Sequence, residues 1–133
     1  MSRLLLITLL GALPAMVLYA QTNDREHDVF VPITKYMQEG DAECLAAWMA
    51  ENLELDLFGT VNECSRKQAR QILDNFFENF HPKSISVVHK SLSPPMNYAV
   101  AKMNAGGERF QVTIFVKTQK NGNFIQHIRI ERD

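Results

Sequence analysis

Two cysteines, Cys44 and Cys64, supply the thiol chemistry open to this chain of 133 residues. A thiol attacks a substrate as the thiolate, which needs a neighbouring base, and no histidine stands in an identifiable relation to Cys64. In an oxidising compartment the pair could form a disulfide, worth about 3 kcal/mol if the Cα atoms lie within about 7 Å. The other interpretation makes Cys44 a small core residue on a helix and Cys64 a partly exposed thiol. Both interpretations stay open at the level of sequence.

Four ionisable residues on predicted strands could act as general bases, but their spacing argues against that role. Glu54 and Asp56 alternate with leucines at positions 53, 55 and 57. If the leucines face the core, the two carboxylates face solvent. His89 and His127 have no carboxylate at a recognisable spacing, and two histidines with two cysteines do not form a metal-binding pattern. We therefore predict no catalytic residue, no metal and no cofactor.

A lysine and several aromatic residues could line a binding pocket. Lys102 alternates with Tyr98 and Val100 on a predicted strand, whose face could point into an apolar cavity. A lysine placed there must be paired or lose its proton, so it would mark a site for an anion. The alternative is a lysine that reaches solvent and aromatic residues that fill the core. The pocket candidates are Tyr36, Trp48, Phe58, Tyr98 and Lys102.

The opposite face of the predicted sheet has the mixed composition of a modest protein contact surface. Phe115, Ile125 and His127 alternate out of phase with the predicted core residues of their strands, among polar and charged side chains. This face predicts a homodimer whose interface includes these three residues. The alternative is a set of apolar residues scattered over an ordinary surface.

Apolar residues at helical spacing predict three amphipathic helices. The first covers residues 28–38 and ends before Gly40, and the second runs from an Asp41 cap to about residue 51. The third begins at Ser65, which forms a capping box with Gln68. The apolar stripe of the third helix consists of Ala69, Ile72, Leu73, Phe76, Phe77 and Phe80.

Alternating apolar residues predict strands for the rest of the chain. Glycines at 106–107 and 121–122 supply the positive φ of tight turns, so the last three strands form a meander. In the final strand, Phe124, Ile128 and Ile130 are predicted to face the core. The predicted strands cover residues 53–57, 60–63, 84–91, 98–104, 110–118 and 124–132.

The N-terminus has the features of a secretory signal peptide. A basic residue precedes an apolar, charge-free stretch at residues 4–19, which is shorter than the roughly 20 residues of a membrane-spanning helix. Cleavage after Ala20 removes residues 1–20 and leaves residues 21–27 as a linker before one domain at 28–133. The mature protein is then periplasmic or secreted, and soluble; the alternative is an uncleaved anchor.

The overall composition fits one globular domain and gives no reason to expect a polyanionic partner. Apolar residues make up 46% of the chain and charged residues 22%, with a formal net charge of -1. A near-neutral net charge gives no electrostatic reason to expect a polyanion, so nucleic acid is not predicted as a partner.

The order helix, helix, hairpin, long helix and meander resembles the nuclear transport factor 2-like, or cystatin-like, cone-shaped fold. Three stretches, DVFVPITKYMQEGDAECLAAWMAENLELDL, CSRKQARQILDNFF and NAGGERFQVTIFVK, more narrowly resemble a domain-of-unknown-function family of small exported bacterial proteins. This resemblance covers about residues 27–132. It implies an α+β domain with three N-terminal helices packed on a curved antiparallel sheet that can enclose an apolar cone.

The resemblance leaves two classes of function. Enzymes of this fold, such as ketosteroid isomerase and polyketide cyclases, hold a carboxylate or histidine base inside the cone, but no such residue transfers to this sequence. We therefore predict a non-enzymatic exported domain that binds a small apolar or amphipathic ligand, or a protein partner, through the cone or the sheet face. The alternative is a cone-pocket isomerase, cyclase or hydrolase with a buried carboxylate or histidine. Relatives with this fold often dimerise through the sheet, which agrees with the predicted homodimer.

Overall fold

Three helices and six strands form the part of the chain that the computed structural model describes, residues 28–133. The predicted signal peptide (1–20) and linker (21–27) lie outside the described residues. Within 28–133, no helix is both long enough and apolar enough to cross a membrane. The elements are α1 (Phe30–Glu39), α2 (Ala42–Ala46), β1 (Met49–Leu57), β2 (Thr60–Ser65), α3 (Arg66–Asn79), β3 (Pro82–Ser91), β4 (Met96–Ala105), β5 (Glu108–Gln119) and β6 (Gly122–Arg132).

Helices α1 and α3 form where the apolar residues recur at helical spacing, as predicted. α1 buries Ile33 and Met37 and ends at Gly40, whose left-handed backbone (φ 66°) lets its N–H donate to the Met37 carbonyl. α3 begins with the predicted capping box, in which the Ser65 hydroxyl accepts the Gln68 N–H and the Gln68 side chain accepts the Ser65 N–H. Local sequence signals therefore fix both helices.

Helix α2 is shorter than predicted, because the sheet captures the residues that follow it. The predicted helix from Asp41 to about residue 51 ends at Ala46, and β1 already begins at Met49. The Trp48 carbonyl accepts the N–H of Ile125, and Met49 pairs with Ile125 in the sheet. Hydrogen bonds to β6 stabilise the strand conformation of this segment more than its helical spacing of apolar residues stabilises a helix.

The six strands form one sheet in the order β2-β1-β6-β5-β4-β3. Strands β3 to β6 form an antiparallel meander, and β1 and β2 form the predicted hairpin. Strands β1 and β6 run parallel to each other, so the prediction of a wholly antiparallel sheet is wrong at this pair. Parallel neighbours need a long connection, which α3 and the intervening strands provide.

The helices pack on one face of the sheet, and the core lies between them and that face. We call the face turned away from the helices the outer face. Strand β5 shows the alternation most clearly, because Val112 and Ile114 are fully buried while Gln111 and Phe115 lie half-buried on the outer face. The largest fully buried side chains are Phe30, Phe110, Ile33, Met37, Leu45, Met49, Leu55, Leu73, Met103, Ile114, Ile125 and Ile128.

Candidate functional site

The interior of the domain is filled with apolar side chains. Within residues 28–133 the buried polar side chains are Asn97 and Thr113, and the buried set contains no carboxylate, imidazole, amine or guanidinium. A general base must reach the proton that it abstracts, so a base inside the cone would have to come from this set. In the described part of the chain, no group of three or more histidine, cysteine or acidic residues is placed to hold a metal ion.

Three of the predicted pocket residues pack at the edge of the core. Tyr36 and Trp48 are half-buried against core side chains. Phe58 occupies the β1–β2 turn with a left-handed backbone (φ 56°), and 44% of its surface is exposed. Its ring lies 5.9 Å from the Phe110 ring, and the Arg132 guanidinium lies 5.1 Å from the Phe58 ring centroid. Phe58 therefore closes one end of the core.

The other two pocket candidates, Tyr98 and Lys102, lie on the outer face, so their predicted placement inside the cone is wrong. The small residues Ala99 and Ala101 of β4 face the core. Side chains alternate along a strand, so the even-numbered residues, which include Tyr98 and Lys102, face outward. Lys102 Nζ donates to Gln111 Oε1 at 3.0 Å and to an Asp133 carboxylate oxygen at 2.6 Å. The lysine is therefore paired at the surface and does not mark an interior anion site.

Ile125 was predicted to lie on the outer face with Phe115 and His127, and this prediction is wrong for Ile125. A β-bulge in β6 sets Phe115 opposite His127 and Val116 opposite Ile125, which leaves Gln126 as the extra residue. The bulge shifts the alternation by one residue, so Ile125 turns into the core with an exposure of 0%. Phe115 and His127 keep the predicted outer placement.

A row of aromatic and polar side chains crosses the outer face over five strands. His89 Nε2 lies 2.9 Å from the Tyr98 hydroxyl. The Tyr98 and Phe115 ring centroids lie 5.8 Å apart, and those of Phe115 and His127 lie 5.5 Å apart. His127 Nδ1 lies 3.0 Å from Glu54 Oε2 on β1. We call His89, Tyr98, Phe115, His127 and Glu54 the outer row.

Sequence reasoning missed the carboxylate partner of His127, because the parallel pairing of β1 with β6 creates it. Glu54 lies opposite His127 in this register, and Asp56 lies opposite Arg129, with 3.6 Å between Arg129 Nε and Asp56 Oδ2. The matched alternation of Glu54 and Asp56 with His127 and Arg129 was the available signal. His127 Nε2 is buried and has no hydrogen-bond partner among the described residues.

Charge is distributed unevenly over the outer face. The β1–β6 side carries the acidic residues, of which Asp56 and Glu131 flank Arg129, and the β4–β5 side carries the basic residues. Opposite charges on the two halves of one face attract a second surface whose halves are reversed. The acidic residues are Glu54, Asp56 and Glu131, and the basic residues of the other half are Lys102, Arg109 and Lys117.

The cysteines are free thiols in the structure, so the disulfide that we considered between Cys44 and Cys64 is not formed there. Burial raises the pKa of the Cys64 thiol. The side chain of Asp41 raises the pKa of Cys44, and the Cys44 N–H in turn lowers the pKa of Asp41 by donating to its carboxylate at 3.0 Å. A raised pKa reduces the thiolate fraction, so neither environment activates a nucleophile.

Comparison with known proteins identifies a family and several structures with a similar fold. A family described as a domain of unknown function, DUF4783, matches residues 30–131, whereas no curated protein matches the chain. A DUF4783 family protein from Bacteroides uniformis has a TM-score of 0.76 at 19% identity, over 80% of this chain and 98% of its own. An NTF2-like protein of unknown function from Shewanella baltica has a TM-score of 0.64 at 11% identity, over 86% of this chain and 96% of its own. A domain of unknown function with a cystatin-like fold from Nostoc punctiforme has a TM-score of 0.64 at 13% identity, over 84% of this chain and 76% of its own.

At sequence identities of 11–19%, these structural similarities establish the fold and do not establish an activity. They confirm the α+β class and the resemblance to the nuclear transport factor 2-like (NTF2-like) and cystatin-like folds. The family match spans nearly all of the described domain, from the start of α1 to the end of β6. The chain therefore belongs to the DUF4783 family of domains of unknown function.

Proposed function

We propose that this protein is an exported, non-catalytic binding domain whose binding surface is the outer face and whose partner is a second copy of the chain. The apolar, charge-free stretch at residues 4–19 supports export. The filled core supports binding without chemistry, because the buried residues of 28–133 include no acid, histidine or amine. A small ligand inside the cone would need space that large apolar side chains occupy.

The symmetry of the outer row is the observation that carries the proposal. Phe115 lies on β5, with Tyr98 and His127 on the two strands that flank it and His89 and Glu54 on the next two. Consider a twofold axis that lies between the outer faces of two copies, parallel to β5 and beside Phe115. This axis places each side of the outer row over the other side of the second copy. Phe115 then meets its own copy, and Tyr98 meets His127 of the second copy. His89 is level with Thr113, Arg129 and Asp56 in the register, so it meets Asp56 of the second copy.

The same axis brings opposite charges together. Because the axis lies along β5, it places β6 of one copy over β4 of the other, while Arg109 and Lys117 on β5 each face their own copy. Glu131 on β6 and Lys102 on β4 both lie opposite Gln111 on β5. Glu131 of each copy therefore faces Lys102 of the other copy. A twofold interface uses one patch twice, and a patch with Glu131 on one side of the axis and Lys102 on the other satisfies that condition.

The outer face is large enough for a stable dimer. Five strands at a spacing of about 4.8 Å give a width of about 24 Å, and ten residues at about 3.3 Å give a length of about 33 Å. The product is roughly 800 Å² per copy, which is the size of a standard protein interface. The aromatic residues of the outer row lie near its centre, where the energetically dominant contacts of interfaces cluster.

The test is the mass of the protein in solution, measured by light scattering and sedimentation on residues 21–133. We expect the mass of two chains at micromolar concentration. Phe115→Lys removes the apolar contact at the centre of the interface and adds a like-charged pair on the axis beside those of Arg109 and Lys117, so we expect this variant to have the mass of one chain. Circular dichroism of Phe115→Lys checks that the variant is folded.

The matched control is Val31→Lys, which introduces the same charge on α1, on the opposite side of the sheet from the outer face, where Val31 is 59% exposed. This control keeps the mass of two chains if the outer face forms the interface. A single-chain mass for the unmodified protein contradicts self-association. A two-chain mass for Phe115→Lys shows an interface elsewhere and contradicts the use of the outer face.

A further inference from the structure

A polar cleft lies at one end of the outer face, beside the β4–β5 turn and the edge strand β3. It has a volume of about 330 Å³. Lys102 is four residues from Tyr98 along β4, so the cleft lies about 13 Å from the outer row. We call it the terminal cleft; its polar lining consists of Ser84, Ser86, Lys102, Asn104, Arg109 and Asp133.

A carboxylate already lies in this cleft, and it comes from the chain itself. The Asp133 side chain accepts a hydrogen bond from Lys102 Nζ at 2.6 Å, and the Asp133 N–H donates to the Arg109 carbonyl at 3.0 Å. The hydrogen bond from Lys102 lowers the pKa of Asp133, and the charges of Lys102 and Arg109 add to this effect. The cleft therefore stabilises a negative oxygen.

The remaining polar groups are donors that the Asp133 side chain does not use. Asn104 Nδ2 donates to Ser84 Oγ at 3.2 Å, which leaves the Ser84 hydroxyl proton free to donate to another acceptor. Ser86 is exposed on the same strand two residues away, opposite Lys102. Two hydroxyls, one ammonium and one guanidinium on one cleft match the several acceptor oxygens of a small oxyanion.

We propose that the terminal cleft is a binding site for a small oxyanion, a carboxylate or a phosphate group. When the anion is absent, the Asp133 side chain pairs with the Lys102 ammonium. An incoming oxyanion takes over the hydrogen bond from Lys102 and gains the serine hydroxyls. Asp133 then moves away from Lys102 towards solvent. Free anion and Asp133 thus compete for one cation.

The competition can be measured by titrating residues 21–133 with sodium acetate and, separately, with inorganic phosphate, while following backbone amide chemical shifts at constant ionic strength. Asp133→Asn removes the competing charge. We expect it to tighten anion binding about fivefold, the effect of one charge about 4 Å away in a water-like medium. Lys102→Gln should abolish saturable binding.

Lys120→Gln is the matched control, because Lys120 is exposed in the turn after β5, away from the cleft. It should bind anions like the unmodified protein. Saturable shifts at residues 84, 86 and 104 with acetate or with phosphate support the proposal, and the tighter probe identifies the oxyanion class. The proposal is overturned if neither probe saturates in Asp133→Asn, or if Lys120→Gln weakens binding as much as Lys102→Gln.

Discussion

Replacing Ile125 by alanine tests the bulge that turns this residue into the core. The Ile125 side chain is fully buried, its N–H donates to the Trp48 carbonyl, and it pairs with Met49 and Val116 on the two neighbouring strands. A buried isoleucine truncated to alanine loses contacts with both strands and leaves a cavity. We expect the free energy of unfolding to fall by about 3 kcal/mol, within the 2–5 range for such changes.

Urea denaturation measures this loss, and Trp48, the single tryptophan of the chain, reports the transition through its fluorescence. For a domain of this size, 3 kcal/mol also lowers the melting temperature by more than about 10 °C. If Ile125 lay on the outer face, as uniform alternation predicts, the loss would stay near 0.5 kcal/mol, as for most surface substitutions.

Phe124→Ala is the matched control, because uniform alternation places Phe124 in the core and the bulge leaves it half-buried. The two placements rank the variants in opposite order. The structure predicts that Ile125→Ala is the more destabilising variant, although phenylalanine loses more atoms. A larger loss of stability for Phe124→Ala would refute the placement of the bulge.

Three further outcomes follow. Ser65→Ala removes the capping box of α3 and should lower the free energy of unfolding by about 1 kcal/mol, while Ser65→Thr keeps most of it; equal stability of all three proteins would contradict the cap. The pKa of Asp41 and of Asp133 is lowered in the folded state, so their stabilisation is complete above the ordinary aspartate pKa of about 3.9 and is lost as the pH falls through the lower folded values. Urea midpoints should therefore fall as the pH is lowered below about 4, and less so when both are replaced by asparagine; an unchanged pH dependence would contradict this. When the full chain is expressed in a bacterium, the exported product should begin at Gln21 by mass spectrometry, and a product that retains residues 1–20 would contradict cleavage.

The sequence predicts the elements whose signals are local. The capping box and apolar stripe of α3 lie within one stretch of 16 residues, and the structure reproduces them. The two glycine-containing turns of the meander likewise define their hairpins, because positive φ is required at those positions. These features need no information about distant parts of the chain.

The errors arise where distant strands decide the outcome. Met49 and Ile125 are 76 positions apart, yet their pairing ends α2 early and fixes the direction of β1. A single extra residue in β6 reverses the facing of Ile125 without altering its apolar pattern. Tyr98 and Lys102 were misplaced because alanines, which give a weak hydrophobic signal, form the inner face of β4. The outer row depends on these same pairings, so it could not be assembled from periodicity alone.

Chemical cross-linking at position 115 tests most directly whether the outer faces of two copies meet across Phe115. Packed sheets lie about 10 Å apart, which is too far for a disulfide, limited to about 7 Å between Cα atoms, and within the reach of a short bismaleimide. In a background with both native cysteines replaced by serine, we predict that Phe115→Cys gives a covalent dimer with this reagent at micromolar concentration and that Val31→Cys, on the helix side of the sheet, does not. A monomeric product from Phe115→Cys, or an equal yield of dimer from both variants, would contradict the proposed interface.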